Sequence, residues 1–416
     1  MDATGSLAGA GVADAWSLAS RVVAGACLWA ALLLSDWPQT LVHTFGSFSL
    51  LIDLLAIIPF LVMVVGQWAS LYPIERRLRE AILMRQLDQG TPIYPPPTLA
   101  QHLWNRTRFE ILLILAPVML ASLWHEFAAR LPGLVGQNAL SASRWEFVSG
   151  AISWLGLVVV MMVAPAILRA AWDLVQVGPG SLRELAEGMC RQYGVRVRGP
   201  YLWRTHGTLV NAAILGVAWP FRYLLFSDAM LDRFTPEQVE AVMAHEIAHV
   251  RERHILWIGL SLASAAFSLP WLFEPLLAPA SDTTTTVLVD IALLLVLACC
   301  FGFVSRRFEW QADAFAVRHL SQRLFPGQPA IAIDASRIMV STLTNVAAQN
   351  GISVTRFSFR HGSIATRCNN VMALAGRPAD RLWPDRAARG IKLVSIILLT
   401  ASLLAALFTS VWGAHP

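Results

Sequence analysis

The chain has 416 residues, of which 56% are hydrophobic and 14% charged, with a mean hydropathy of +0.55. Soluble domains carry about a quarter charged residues, so a purely soluble protein is excluded and a multi-span membrane protein with a modest soluble part is expected. The formal charge is +5, but Lys392 is the only lysine; no lysine-rich tract points to nucleic acid, and the five cysteines (Cys27, Cys190, Cys299, Cys300, Cys368) lack the C-x-x-C spacing of a cysteine zinc site.

Seven apolar runs approach the ~20 residues that cross a bilayer, near 16–35, 50–71, 109–129, 149–171, 255–277, 285–304 and 391–411. The acidic start (Asp2, Asp14), with the first apolar run only after Arg21, argues against a cleavable signal peptide. Pro117, Pro165 and Pro270 interrupt spans and are expected to kink them. Arginines gather in alternate loops: Arg76, Arg77, Arg79, Arg85, Arg106 and Arg108 after the second run, Arg183 to Arg204 after the fourth, and Arg306 onward after the sixth. Residues 36–49 and 278–284 hold no Lys or Arg. Basic loops stay inside, so the N-terminus is expected in the cytoplasm of a multi-pass inner-membrane protein, and the C-terminus outside. The long polar segments 172–254 and 305–390 then face the cytoplasm.

In the first of these segments, Ser181-Leu182-Arg183-Glu184 reads as a capping box that opens a helix, with Gly194 closing it. Residues 195–198, 208–217 and 221–226 read as short strands, divided by Gly199-Pro200 and Trp219-Pro220. Thr235-Pro236-Glu237-Gln238 opens a further helix, with Thr235 as cap, Pro236 at the first position and Gln238 closing the box. That helix carries His245-Glu246-Ile247-Ala248-His249, the pattern H-E-x-x-H. Residues i and i+4 share a helix face, so both imidazoles can grip one zinc ion, and Glu246 can act as general base on a water. Taken alone the pentapeptide is weak, arising by chance in about one chain in a hundred of this length. The helix is expected to continue through Arg251–His254 into the fifth apolar run.

A zinc peptidase site needs a third protein ligand. Arg306-Arg307-Phe308-Glu309-Trp310-Gln311-Ala312-Asp313 follows the sixth run. Glu309 and Asp313 lie one turn apart on one face, so Glu309 can ligate and Asp313 can orient a ligating histidine. The plainer alternative is a solvated juxtamembrane helix of alternating charge. His254, His319, His206 and His102 are read as ordinary histidines.

With these motifs in order, residues 180–375 resemble the HtpX and CAAX-prenyl-protease family of integral membrane zinc metallopeptidases. The likeness rests on Asn211-Ala212, Phe226-Ser227-Asp228, the run Thr235–Val250, Glu309 with Ala312-Asp313, and His361 with Arg367 six residues on. The resemblance implies an α-helical polytopic membrane protein of about seven spans carrying a small cytoplasmic α+β zincin domain of gluzincin type. Its parts would be 1–171 (four spans), 172–254 (strands and H-E-x-x-H helix), 255–304 (two spans), 305–390 (third ligand) and 391–416 (last span). It implies one Zn(2+) per chain on His245, His249 and Glu309, Glu246 and His361 as catalytic groups, and Asp313 behind the ligands. Asn211, Ala212 and Arg367 would meet the substrate, a membrane-associated peptide or protein, with Asn211-Ala212 on a strand that pairs with its backbone. The expected partners are that substrate and the lipid bilayer. Two departures stand out: Gly362-Ser363 replace the family's usual two prolines, and four spans precede the motif with one after the catalytic part. Three functions compete: a metalloendopeptidase acting on membrane proteins, a CAAX-type enzyme trimming lipid-modified C-termini, and a seven-span transporter or receptor with a chance motif.

Overall fold

The computed structural model describes residues 35–45, 49–88, 95–135, 142–207, 209–277 and 283–412, together with positions 19, 20, 22, 23 and 25–27. It is a helical protein with a small mixed sheet. Among the described residues, five helical stretches are long and apolar enough to cross a membrane: Leu50–Arg77, Leu99–Val135, Arg144–Ala171, Val289–Leu324 and Trp383–Phe408. They contain the expected runs 50–71, 109–129 and 149–171 and most of 285–304 and 391–411. Of the other two, 16–35 lies mostly outside the described residues. The run 255–277 is helical, but the apolar part whose side chains are described, His254–Leu269, is shorter than a crossing needs.

The chain divides into two compact units. The first holds helices α1 (Trp37–Phe45), α2 (Ser49–Asp88), α3 (Leu99–Arg106), α4 (Leu112–Val135) and α5 (Ala142–Ala171). Thr98 caps α3 with a full capping box. Helices α4 and α5 pack together, and Trp124 Nε1 donates to the Ile152 carbonyl at 2.8 Å. Arg106 joins Glu75 at 2.6 Å and Glu110 at 3.0 Å.

After a short strand β1 (Leu174–Gln176), the second unit holds α6 (Ser181–Gln192), β2 (Arg198–Trp203), β3 (Ala212–Leu215), β4 (Tyr223–Ser227), α7 (Asp228–Arg233) and α8 (Pro236–Arg251). It continues with α9 (His254–Leu277), α10 (Thr283–Leu324), α11 (Ile333–Gln349), α12 (Ile364–Met372) and α13 (Trp383–Trp412). Strand β4 lies between β2 and β3, and β3 is a sheet edge. Leu224, Phe226, Met243, Ile247, Leu320 and Met339 are fully buried in one core between sheet and helices. Ala241, Ala244 and Ala248 form a small-residue stripe on α8 and are fully buried, as are Ala312 and Ala316 one turn apart on α10. Small residues at i, i+3 and i+4 positions let two packed helices approach closely. The polar residues beside these stripes are therefore brought face to face.

Four local expectations need correction. Helix α6 starts at Ser181 with Gly180 as its cap and no side-chain cap bond, so the box at 181–184 does not form; Glu184 N–H is instead taken by the Gly180 carbonyl at 3.0 Å. The strand expected over 195–198 is displaced: β2 begins only at Arg198 and runs through Gly199-Pro200 to Trp203, where Pro200 contributes a carbonyl that accepts from Val177 N–H at 3.0 Å and its missing N–H is not needed. The strand expected over 208–217 is limited to Ala212–Leu215. The helix of the H-E-x-x-H motif ends at Arg251: Arg253 takes φ +56°, and a new helix starts at His254. The box at Thr235, by contrast, is formed in full, with Pro236 in the first turn.

Candidate metal centre

Helix α8 presents His245 and His249, and α10 presents Glu309 and Asp313. The ligand atoms of His245, His249 and Glu309 all lie within 4.8 Å of one another. The two Nε2 atoms are 3.1 Å apart, and each is 3.6 Å from a Glu309 carboxylate oxygen. Atoms bound to one tetrahedral zinc at about 2.0–2.1 Å stand about 3.3–3.4 Å apart. Two nitrogens and a carboxylate, converging at that spacing and with Glu309 only 3% exposed, fit a zinc ion.

Behind the ligands lies a layer of polar groups. His245 Nδ1 is 3.0 Å from Asp313 Oδ1, although the ring N–H is not aligned for a full hydrogen bond. Arg367 is 7% exposed and grips Asp313 with two hydrogen bonds, Nε to Oδ2 at 2.8 Å and Nη2 to Oδ1 at 2.6 Å. Its Nη1 is 3.3 Å from Glu309 Oε2. One buried guanidinium thus balances the carboxylates of ligand and orienter, a geometry suited to arginine's planar fork.

Burial alone would lower the His245 imidazole, but the neighbouring Asp313 and Glu309 carboxylates outweigh it and raise it to about 10. His249 has weaker compensation, and burial drives it well below the ordinary histidine range. Burial opposes the charge on Arg367, and Asp313 more than restores it, leaving the guanidinium firmly ionised.

His249 is held by a chain of polar groups absent from the sequence reading. Its Nδ1 is 2.9 Å from His254 Nδ1, and His254 Nε2 is 3.0 Å from Gln311 Oε1. The Gln311 amide donates to Glu252 Oε2 at 3.3 Å and Asp385 Oδ1 at 3.2 Å. Lys392 Nζ reaches Glu252, and Arg318 pairs with Asp385. Only one proton assignment satisfies every link: His249 ligates through Nε2 and donates from Nδ1, and His254 accepts at Nδ1 and donates from Nε2. The buried His254 ring also stacks on Phe308, with centroids 4.6 Å apart. The signal was the spacing H-x-x-x-x-H from His249 to His254, which has meaning only once the chain turns at Arg253.

Glu246 is part-buried beside the ligands. Its Oε2 accepts from the Ile214 N–H of edge strand β3 at 3.3 Å, and burial raises its carboxyl above the usual range. Asn211 is exposed just ahead of β3 and is tied to β4: its N–H donates to Ser227 Oγ at 3.0 Å, and its carbonyl accepts from Ser227 N–H at 2.9 Å. Ala212 points into the core. His361 Nδ1 is 3.0 Å from Glu309 Oε1, with the side chain 43% exposed. His319 instead bonds to Tyr193 and Glu240.

A small α+β fold with two histidines from one helix, a glutamate from a second and a carboxylate beside them defines a zinc-metallopeptidase domain of the glutamate-ligand type. Residues 180–374 match the model of peptidase family M48, and His245, His249 and Glu309 within that stretch form a zinc-metallopeptidase ligand set. Among similar proteins, a protease HtpX homolog of Verminephrobacter eiseniae is 29% identical over 142 residues, covering 30% of this chain and 44% of its own length. One from Bacteroides fragilis is 22% identical over 244 residues, covering 51% and 74%. The chain thus spans less than half the length of the first of these relatives. The crystal structure of S. mikatae Ste24p aligns over 86% of this chain and 98% of its own, at 12% identity and a TM-score of 0.39.

Proposed function

We propose that this chain is a membrane-embedded zinc metalloendopeptidase that hydrolyses membrane or membrane-associated proteins near the cytoplasmic surface. The observation that carries the reading is the convergence of His245, His249 and Glu309, with Glu246 standing between them and the β3 edge of the sheet. When bound, zinc supplies Lewis acidity, polarising a carbonyl and acidifying water. The remaining work falls to the chain. An extended peptide pairs with the β3 edge through main-chain hydrogen bonds, following Asn211 into Leu215. Glu246 takes the proton of the attacking water on a carboxylate oxygen and passes it to the leaving amine nitrogen. His361, whose ring reaches solvent, turns an N–H toward the developing oxyanion. Asp313 and His254 orient the two ligating imidazoles. Arg367, expected at the substrate, is assigned to holding Asp313 and Glu309 in place.

The test is Glu246→Gln in the purified full chain. The variant should keep about one zinc per chain and lose hydrolysis, because an amide cannot take the proton. Full activity in that variant removes Glu246 from the mechanism, and zinc loss on His245→Ala with retained hydrolysis removes the metal. Prenylated and unmodified peptides, offered in parallel, separate general proteolysis from trimming of lipidated C-termini.

A further inference from the structure

The turn between α11 and α12 exposes a run of apolar side chains: Ile352, Val354, Phe357 (64% exposed) and Phe359 (46%). Water-facing aromatics at that density ask for a partner. Their position identifies one. The Phe359 ring stacks on Phe301 at 6.2 Å, and a Cβ on Gly302 would stand 2.9 Å from its tip, so a larger residue there would push the ring aside. Arg306 Nη1 donates to the Phe359 carbonyl at 2.9 Å, and its guanidinium lies 5.4 Å from the Phe357 ring centre.

Phe301 and Gly302 belong to the apolar stretch Val289–Leu324. The level of the membrane boundary is marked on three helices by cations set against aromatic rings. Arg307 lies over Phe303 and Trp310 at 4.5 and 4.1 Å, Trp310 meets Trp383 at 5.3 Å, and Lys392 lies over Trp257 at 5.6 Å. Tryptophan with snorkelling Lys and Arg is the usual signature of the headgroup layer. Phe301 is six residues before Arg307, about 9 Å toward the hydrocarbon at 1.5 Å per residue.

We infer that the loop 352–360 is a membrane-surface anchor: Phe357 and Phe359, with Ile352 and Val354, enter the acyl boundary of anionic phospholipid, and Arg306 and exposed Arg360 meet its phosphates. The loop ends at His361, 3.0 Å from Glu309. Lipid seating thereby fixes the height of the His361 ring over the ligand set. This rests on the reading of α10 as a membrane span and adds to it a second, monotopic contact.

The test uses the full chain in nanodiscs containing phosphatidylglycerol, with Cys27, Cys299, Cys300 and Cys368 replaced by alanine and a nitroxide on Phe357→Cys. Collision with oxygen against a nickel chelate should place the 357 label in lipid, several-fold oxygen-favoured over a label at Gln328→Cys. A nickel-favoured label at 357 overturns the inference, and so does one shielded from both reagents, which would mean that polypeptide covers the loop. A label at Leu295→Cys separates the two readings: if it too is nickel-favoured, the span itself fails and the anchor with it. Val354→Cys repeats the measurement should the 357 variant not retain zinc.

Discussion

His245 and His249 share a helix face and a metal, yet their surroundings treat them oppositely. Asp313 and Glu309 hold His245 protonated up to about 10, whereas burial keeps His249 neutral. A ligating imidazole must be neutral, so metal entry at pH 7.5 has to expel the His245 proton. Titration calorimetry in two buffers of different ionisation enthalpy should show at least one proton released per zinc, and an affinity that rises with pH. No proton release would mean that His245 is already neutral and that Asp313 does not act on it. The two orienting groups can be weighed separately. Asp313→Ala and His254→Leu should each weaken zinc binding by roughly 10–100-fold with all three ligands intact. His254→Asn, which keeps an acceptor for His249 Nδ1–H, should recover part of the loss. Equal affinity in His254→Leu and the parent chain would make the histidine a packing residue on Phe308.

At the scale of elements, what was legible in the sequence was local. The box at Thr235 joins residues three apart, and His245/His249 and Glu309/Asp313 are i,i+4 pairs, so side-chain chemistry and helix period suffice to place them. The roles of His254 and Arg367 were hidden for two different reasons. Arg367 meets Asp313 across 54 residues of chain, a separation no periodicity encodes. His254 depends on a break at Arg253, where neither glycine nor asparagine announces a left-handed residue. An arginine held at φ +56° costs on the order of 1–3 kcal/mol, kept because the turn swings His254 onto His249. Arg253→Gly should therefore match or exceed the parent in thermal stability, and Arg253→Val should lose about 1–3 kcal/mol with weakened zinc binding. A stable, zinc-tight Arg253→Val would show that the turn is not strained and not needed by the site.

For the whole molecule, the question is where an enzyme built this way can cut. Helix α10 is continuous from the apolar stretch into the ligand region, so Glu309 stands five residues past Val304, about 8 Å along the axis. The route from His249 is different, since the chain turns at Glu252–Arg253, but α9 begins at His254, which touches His249 directly. Both ligand-bearing segments are therefore one short step from an apolar helix. Arg306, Arg307 and Lys392 sit at that step, where basic side chains meet anionic headgroups. Under the proposed function, a site at this height would favour peptides that are tethered to the bilayer or are emerging from it, since these arrive already concentrated in its plane. With basic loops kept inside, the function proposed above has this surface facing the cytoplasm. Membranes carrying active enzyme, compared with the Glu246→Gln variant by mass spectrometry of the products, should show cuts in cytoplasmic segments within a few residues of a span or lipid anchor. Cuts spread through freely soluble proteins, at equal efficiency with or without lipid, would detach the chemistry from the membrane, and cuts in external segments would reverse the orientation.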